Sequence, residues 1–465
     1  MRVRLTTLLD STLREGELFR VLKLSAKLEL VEKLADLGLR RIEVTVDYPP
    51  RTTREDVEPV VNRCRDLGVE CVIHGRAVKQ DVESALRYDA AGVAFYIAPT
   101  EIHRQHKLHG ISYDEALKRL AESIDAAKEA GFRYIRATVE DASRFFVENQ
   151  NEQLVSAVKS LSHAGATLVS VPDTAGLLSP PKAAHFIRFV KNATNVPLAA
   201  HFHNDYGMAS ANTIAAILEN VNEAHVTVMG VGDRNGIADL YEVVAVLEDV
   251  HGVSLGIKRD KMSSLYSFFA KVAGVKLPWR HPLSEESRTI RAGVHQAMAV
   301  EKPEGYMPTK KLEHDVANPV FTLGVYASHR LVAALTGLNP NDPRVRAATE
   351  ALAHKAREKN GYLSVTELNE ILLNTLGIQV EKQTLMKYLS GEKIYVLAKL
   401  NPRYDPNKIY EVLMSWDEIE AVDEVYGDVD MIFVARAKFS HDNVVERFKT
   451  VFSEALEEVK VYVAD

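Results

Sequence analysis

The sequence predicts an α/β chain: a (β/α)8 TIM barrel, then small helical subdomains, then a C-terminal ferredoxin-like (βαββαβ) α+β domain. Three observations carry this reading. From the N-terminus to about residue 252, short β-branched runs alternate with longer amphipathic segments. Many of these segments close on a glycine, which suits a helix C-terminus. The rhythm gives eight strand-plus-helix units in about 250 residues, the usual size of such a barrel. A doubly wound open sheet would need fewer strands, or a glycine-rich phosphate turn after the first strand, and this chain has none there.

Taken in order, the apolar runs cover residues 3–9, 41–46, 69–74, 93–97, 134–139, 167–171, 196–202 and 223–228. Helical stretches between them include 25–37, 56–67, 113–130, 151–164, 181–191, 210–220 and 240–250. Gly38, Gly68, Gly92, Gly131, Gly165 and Gly252 stand at the expected helix ends. Residues 258–335 then mix short helical pieces with Pro, Gly and His. Residues 342–391 read as about three helices, with Leu363-Ser364-Val365-Thr366-Glu367 as a turn and cap into the second. From Lys393 the pattern is strand 394–400, helix 406–415, strands 419–425 and 431–437, helix 443–456 and strand 459–463, with Tyr426-Gly427-Asp428-Val429 as the hairpin turn. The expected division is a catalytic barrel over 1–257, a lid or linker over 258–335, a helical subdomain over 336–392 and a regulatory domain over 393–465.

Composition narrows the function classes. With 465 residues, more than one domain is expected. Hydrophobic residues make up 46% and charged residues 26%, a soluble globular balance. The net charge is −7 with acids and bases interspersed, so no broad basic surface is available for a phosphate backbone, and nucleic acid is excluded as a partner. The first residues are too sparsely apolar for a signal peptide, and no run approaches the length of a membrane span. A cytoplasmic enzyme with no membrane partner is the expectation. Cys64 and Cys71, seven apart, match neither a redox pair nor a thiolate zinc site and are expected to be buried small hydrophobes.

In a barrel of this kind, functional groups gather where strands end and βα-loops begin. Six of the eight expected ends carry polar or ionisable residues. They are Asp10-Ser11-Thr12-Leu13-Arg14-Glu15-Gly16, His74-Gly75-Arg76, the stretch from Arg136 to Asp141, Asp173-Thr174, His201-Phe202-His203-Asn204-Asp205, and Gly230 to Gly236. His201 and His203 alternate on one strand, so both imidazoles share a face. Two imidazoles and a carboxylate suit a divalent cation (Mg, Mn or Zn) with open positions. Glu15 is the best third ligand because it leaves the first strand at the same rim; Asp10 is the alternative, and Glu17 is expected to face solvent. Arg14 beside such a metal can neutralise an oxyanion or a carboxylate, and Arg136 and Arg76 offer further carboxylate clamps. Any one of these alone would be an ordinary surface group. Together they point to carbonyl chemistry on a small polycarboxylate or 2-oxo acid.

Four ordered motifs resemble the homocitrate synthase and isopropylmalate synthase family: residues 10–16, residues 201–205, Gly232-Asp233-Arg234-Asn235-Gly236 and Ala292-Gly293-Val294-His295. The resemblance covers about residues 1–335. It implies a Claisen-type condensation in which acetyl-CoA loses a methyl proton, the enolate attacks the carbonyl of a 2-oxo acid, and the thioester is hydrolysed. It implies Glu15, His201 and His203 as metal ligands and Arg14 as the group that stabilises the ketone oxygen. It also implies His295 as catalytic base, with Glu140 as its acidic partner and Tyr306 as a further catalytic residue. His74, Arg136, Thr138 and Thr174 match substrate contacts.

Glu at position 15, Arg-Asn-Gly in the last barrel loop, and His74 look like the homocitrate branch, which implies 2-oxoglutarate as the second substrate. Leu18, where the family usually has Gln, and Asp233, where it has Glu, depart from the pattern. The C-terminal stretch is similar to the ligand-binding half of Lrp/AsnC-type regulators, the RAM domain, which implies an amino-acid effector at subunit contacts, lysine first, and a homodimer or larger homo-oligomer. The rival expectations are a 2-isopropylmalate or citramalate synthase, an acyl-CoA lyase on the same barrel, and an amino-acid sensor whose barrel is only scaffold.

Overall fold

The computed structural model describes residues 6–308, 318–389, 392–416, 418–437 and 441–463. By compactness the chain divides into one unit ending at Phe269 and a second beginning at Ala270. The first is the expected TIM barrel. Its strands β1 (Thr7–Asp10), β2 (Arg41–Thr45), β3 (Glu70–Arg76), β4 (Gly92–Ile97), β5 (Tyr134–Val139), β6 (Leu168–Ser170), β7 (Leu198–Ala200) and β8 (Glu223–Val226) lie in chain order. All pair in parallel, and β1 closes the circle against β8.

The crossover helices follow from their apolar stripes. Leu24–Leu37 buries Leu30, Val31, Leu34 and Leu37, a helical repeat that faces the strands, and ends at Gly38 with φ 103°. Tyr113–Glu129 starts where the Ser112 hydroxyl accepts from Glu115 N at 3.0 Å. Asn151–Ala164 has the expected bounds. Three short helices not foreseen, Glu15–Phe19, Glu101–His106 and Ala142–Val147, lie in the loops after β1, β4 and β5. A seven-residue helix that was also missed, Lys79–Ala85, completes the β3–β4 crossover.

Two expectations are corrected. Gly92 does not end a helix: it opens β4, where a Cβ would lie 2.5 Å from the Tyr134 ring. The last helix of the chain stops at Val451 rather than reaching 456, because Leu456 already stands opposite Leu400 in the sheet register.

In the second unit, helices His329–Thr336, Pro343–Lys359, Val365–Leu376 and Lys382–Tyr388 follow a two-stranded pairing of β9 (Thr289–Ile290) with β10 (Val320–Phe321). Leu331, Val332, Leu352, Leu368 and Leu372 form the core of this helical part. The expected cap into the second of the three later helices is present as a reciprocal Ser364–Glu367 capping box. The C-terminal strands β11 (Glu392–Leu400), β12 (Ile419–Glu424), β13 (Met431–Ala437) and β14 (Leu456–Val463) form an antiparallel sheet in the order β12-β13-β11-β14. With helices Pro406–Met414 and His441–Val451 this is the ferredoxin-like plan. Both cysteines are buried and free. Among the described residues, no helix is long and apolar enough to cross a membrane.

Candidate active site

The turn after β1 is built from its own polar side chains. Asp10 is fully buried and accepts from Thr12 N at 2.9 Å and Thr12 Oγ1 at 3.1 Å. Thr12 Oγ1 in turn accepts from Val228 N at 2.9 Å, which ties this turn to the loop after β8. The helix Glu15–Phe19 begins there and carries Glu15 to the barrel mouth. Glu15, His201 and His203, all buried, place ligand atoms within 4.8 Å of one another. His201 Nε2 lies 3.3 Å from His203 Nε2 and 3.7 Å from Glu15 Oε1. A divalent ion with bonds of roughly 2.0–2.2 Å can reach all three, so the donor set fits the expected cation. Burial holds both imidazoles below the usual histidine range, which leaves them neutral, the form that binds metal. Asp10, the alternative ligand, is spent on Thr12, and burial pushes its carboxyl up to about 7. Glu17 does not face solvent as expected; it accepts from Lys27 Nζ at 2.9 Å and from Leu22 N at 3.2 Å, and so pins the loop after the short helix.

The trio opens onto a cavity of about 580 Å³ that is also lined by Arg14, His74, Arg136, Thr138, Glu140 and Thr174. Arg14 donates from Nη1 to Glu15 at 2.7 Å and from Nε to Glu43, so its charge is held beside the trio. His74 stacks on Tyr96, with ring centroids 5.1 Å apart and planes within 6°. Burial holds it well below the usual histidine range. Thr174 Oγ1 accepts from Asp141 N at 2.9 Å. Glu140 accepts from Lys107 Nζ at 2.7 and 2.8 Å. Arg76 is taken up by Asp81 at 2.8 Å and by the face of Tyr48. Four polar atoms of the cavity-lining residues are buried without a hydrogen-bond partner among the described residues: Arg136 Nε, Thr138 Oγ1, Ser170 Oγ and His203 Nδ1. His295 and Tyr306 belong to the second unit, where their rings stack at 4.1 Å.

Sequence reasoning missed Glu43, Ser170, Glu223 and His225. Glu43 is fully buried in β2 and accepts from Ser11 Oγ at 2.8 Å, from Arg14 and from Arg136. Burial alone would raise its carboxyl; Arg136 and Arg14 hold it well below the carboxylate range instead. Glu223 and His225 share the inward face of β8, with His225 Nε2 3.0 Å from Glu223 Oε1. Arg136, expected only as a substrate clamp, is 1% exposed and also binds within this group, with Nη1 3.0 Å from His225 Nε2. For Glu43, Glu223 and His225 the available signal was an ionisable residue at alternate positions inside otherwise apolar strand runs.

The loop after β8 closes the rim. Gly236 has φ 79°, and a Cβ there would lie 1.8 Å from Gly230 O, so no larger residue fits this turn. Arg234 grips Asp205 at 2.8 and 2.9 Å, and also Asp233 at 3.0 Å and Thr174 O at 2.8 Å. The shorter Asp233 therefore serves the loop itself. Leu18 lines the cavity and is 66% exposed.

Residues 6–268 match the HMGL-like family profile, more than half of the chain. The chain belongs to the HMGL-like family. Among its curated relatives is a probable 2-isopropylmalate synthase of Methanopyrus kandleri, 32% identical over 65% of this chain and 59% of that one. Another is homocitrate synthase AksA of the same organism, 28% identical over 79% of this chain and 91% of that one. The HMGL-like chain thus spans about three fifths of the first relative's length and about nine tenths of the second's. A crystal structure of hydroxymethylglutaryl-CoA lyase from Pseudomonas aeruginosa superposes with a TM-score of 0.51 at 21% identity, covering 60% of this chain and 96% of that one. That likeness concerns the fold.

Proposed function

We propose that this chain is a metal-dependent condensing synthase that joins acetyl-CoA to 2-oxoglutarate and hydrolyses the thioester to homocitrate and CoA. The observation that carries the reading is the cavity itself. Its wall presents Glu15, His201 and His203, and its lining presents unpartnered Arg136 Nε, Thr138 Oγ1 and Ser170 Oγ beside His74. Buried polar atoms without partners cost about 1–3 kcal/mol each, so a bound ligand rich in oxygen atoms is the natural occupant.

When bound, the divalent ion would polarise the ketone of the 2-oxo acid. Arg14 supplies positive charge next to that position and is kept oriented by Glu15 and Glu43. Thr138 and Ser170 offer hydroxyls to a substrate carboxylate, and Arg136 Nε a further donor. His74 meets the distal carboxylate, and its stacking on Tyr96 fixes the ring plane for that contact. We assign His295 as the base that takes the methyl proton of acetyl-CoA, Tyr306 as its catalytic neighbour and Glu140 as its acidic partner. The 4.1 Å stacking of His295 on Tyr306 supports the pairing of the first two. We further assign residues 258–335 to a lid and residues 393–465 to a RAM-like sensor of lysine in a homodimer or larger assembly; the ferredoxin-like sheet supports the second.

The test is release of free CoA from acetyl-CoA with 2-oxoglutarate, 2-oxoisovalerate, pyruvate and oxaloacetate in parallel, with and without a chelator. Chelator-sensitive release with 2-oxoglutarate alone is expected. Preference for 2-oxoisovalerate or pyruvate would instead favour the 2-isopropylmalate or citramalate reading. His295→Ala is expected to abolish turnover while 2-oxoglutarate affinity, measured by calorimetry, stays within about threefold. An equal collapse in binding would remove His295 from the role of base.

A further inference from the structure

Below the three candidate ligands runs a string of hydrogen bonds whose direction is set from its far end. The Nε2 atom of His201 faces Glu15 and His203, and its Nδ1 atom lies 3.2 Å from His225 Nδ1. His225 Nε2 lies 3.0 Å from Glu223 Oε1. Glu223 is anchored in turn by Arg41 Nη1 at 2.5 Å and by the Tyr134 hydroxyl at 2.8 Å.

An ionised carboxylate only accepts, so the proton between Glu223 and His225 sits on His225 Nε2. A neutral imidazole carries one N–H. His225 Nδ1 therefore presents a lone pair, and the contact to His201 is closed by the proton on His201 Nδ1. That leaves the lone pair of His201 on Nε2, the atom aimed at the other two ligands. Arg136 Nη1, 3.0 Å from His225 Nε2, pulls toward the reverse order because a guanidinium only donates. Arg136 has Glu43 and Glu223 as alternative acceptors, whereas His225 has no carboxylate other than Glu223 at hydrogen-bond distance among the described residues.

We propose that Glu223 and His225 form a positioning relay that fixes His201 as its Nδ1–H tautomer and so presents Nε2 to a divalent cation. Both act through His201 in this role, which requires no contact with substrate. The inference rests on the metal reading of Glu15, His201 and His203 and is independent of which oxo acid reacts. Loss of an outer partner of this kind typically lowers metal affinity by about 10–100-fold.

The test uses the full chain. Nitrogen-15 imidazole spectra of the metal-free protein, with the His201 signals identified by their loss in His201→Asn, should show the Nδ1–H tautomer. Mn²⁺ binding by calorimetry should weaken about 10–100-fold in His225→Leu. In His225→Gln, whose amide can accept from His201 and donate to Glu223, most of that loss should be recovered. An Nε2–H tautomer in the unsubstituted protein would overturn the relay. So would undiminished Mn²⁺ affinity in a His225→Leu protein of unchanged melting temperature. If His225→Leu fails to fold, the tautomer of the unsubstituted protein decides alone. No Mn²⁺ binding by the unsubstituted protein would overturn the metal reading and the relay with it, which separates that failure from a failure of the relay alone.

Discussion

The interior of the barrel and the interior of the C-terminal sheet are filled by opposite chemistries. Between the strands of the barrel lie Glu43, Arg136, Glu223 and His225, none more than 2% exposed. Between the sheet and its helices lie Ile394, Val396, Leu413, Phe433 and Phe448, also buried but wholly apolar. The apolar core stabilises directly, at roughly 25 cal/mol per Å² removed from water. The charged interior costs several kcal/mol per ion before its pairings repay it. A fold carries that cost where polar side chains must be held at fixed positions. In the barrel, the fixed positions are those of Arg14 and His201, each of which touches a member of the buried group.

The sharpest way to break this contrast is to remove one member from each interior. Glu43→Ala leaves the buried Arg136 and half-buried Arg14 guanidinium groups without their shared carboxylate, so a stability loss of about 3–5 kcal/mol is expected by urea unfolding. Turnover should fall about 100-fold or more, since Arg14 loses its orientation. Phe433→Ala should cost a similar 3–5 kcal/mol through its cavity, yet leave CoA release and metal affinity at the barrel unchanged wherever the protein is folded. If Phe433→Ala lowered turnover as steeply as Glu43→Ala, the two interiors would not differ in function.

The same contrast sets what was legible in the sequence. The alternation of runs gave the barrel, and polar residues at or just past the ends of the apolar runs gave the cavity-lining Glu15, His74, His201 and His203, because strand ends open into loops that must be polar in any case. Glu43 and Glu223 sit inside the runs, where a charged residue reads as the solvent face of a half-buried strand. In a barrel both faces of a strand are covered, so such a residue is buried and must find a partner. Glu17 failed for a related reason: its partner, Lys27, comes from the next helix, and nothing local announces that pairing. Gly92 was read as a helix end by rhythm alone, while its real constraint is the Tyr134 ring on the neighbouring strand.

A smaller effect is expected from acid. Burial works against the charge of Glu223, yet His225, Arg136 and Arg41 lower its pKa from the usual carboxylate value to about 2. A carboxyl lowered on folding contributes stability that is complete above its unfolded pKa and is lost as the pH falls through its folded one. This contribution is therefore present above about 4.5 and fades toward 2. Glu223→Gln should be less stable at neutral pH and should show a flatter decline between those limits in acid titrations followed by circular dichroism. An acid limb identical to that of the unsubstituted protein would mean that the buried charges do not set the acid stability of the barrel.

The smallest change in basal activity is expected from the other interior. The outward side of the C-terminal sheet meets residues 271–286 through polar contacts: Lys271 Nζ donates to Trp416 O at 2.7 Å, Lys276 pairs with Glu420 at 2.7 Å, and Arg436 approaches Glu285 at 3.8 Å. Contacts of this type contribute about 1 kcal/mol or less each. Phe433, Phe448 and the aliphatic residues around them pack among themselves, so the domain's core does not depend on the rest of the chain. Deleting residues 393–465 should therefore leave CoA release within about twofold, the size of a surface change near 0.5 kcal/mol, while the lysine response proposed for this domain is abolished. If lysine inhibits the truncated chain as strongly as the full one, the effector competes at the barrel mouth, and the apolar interior of the C-terminal sheet serves folding or assembly alone.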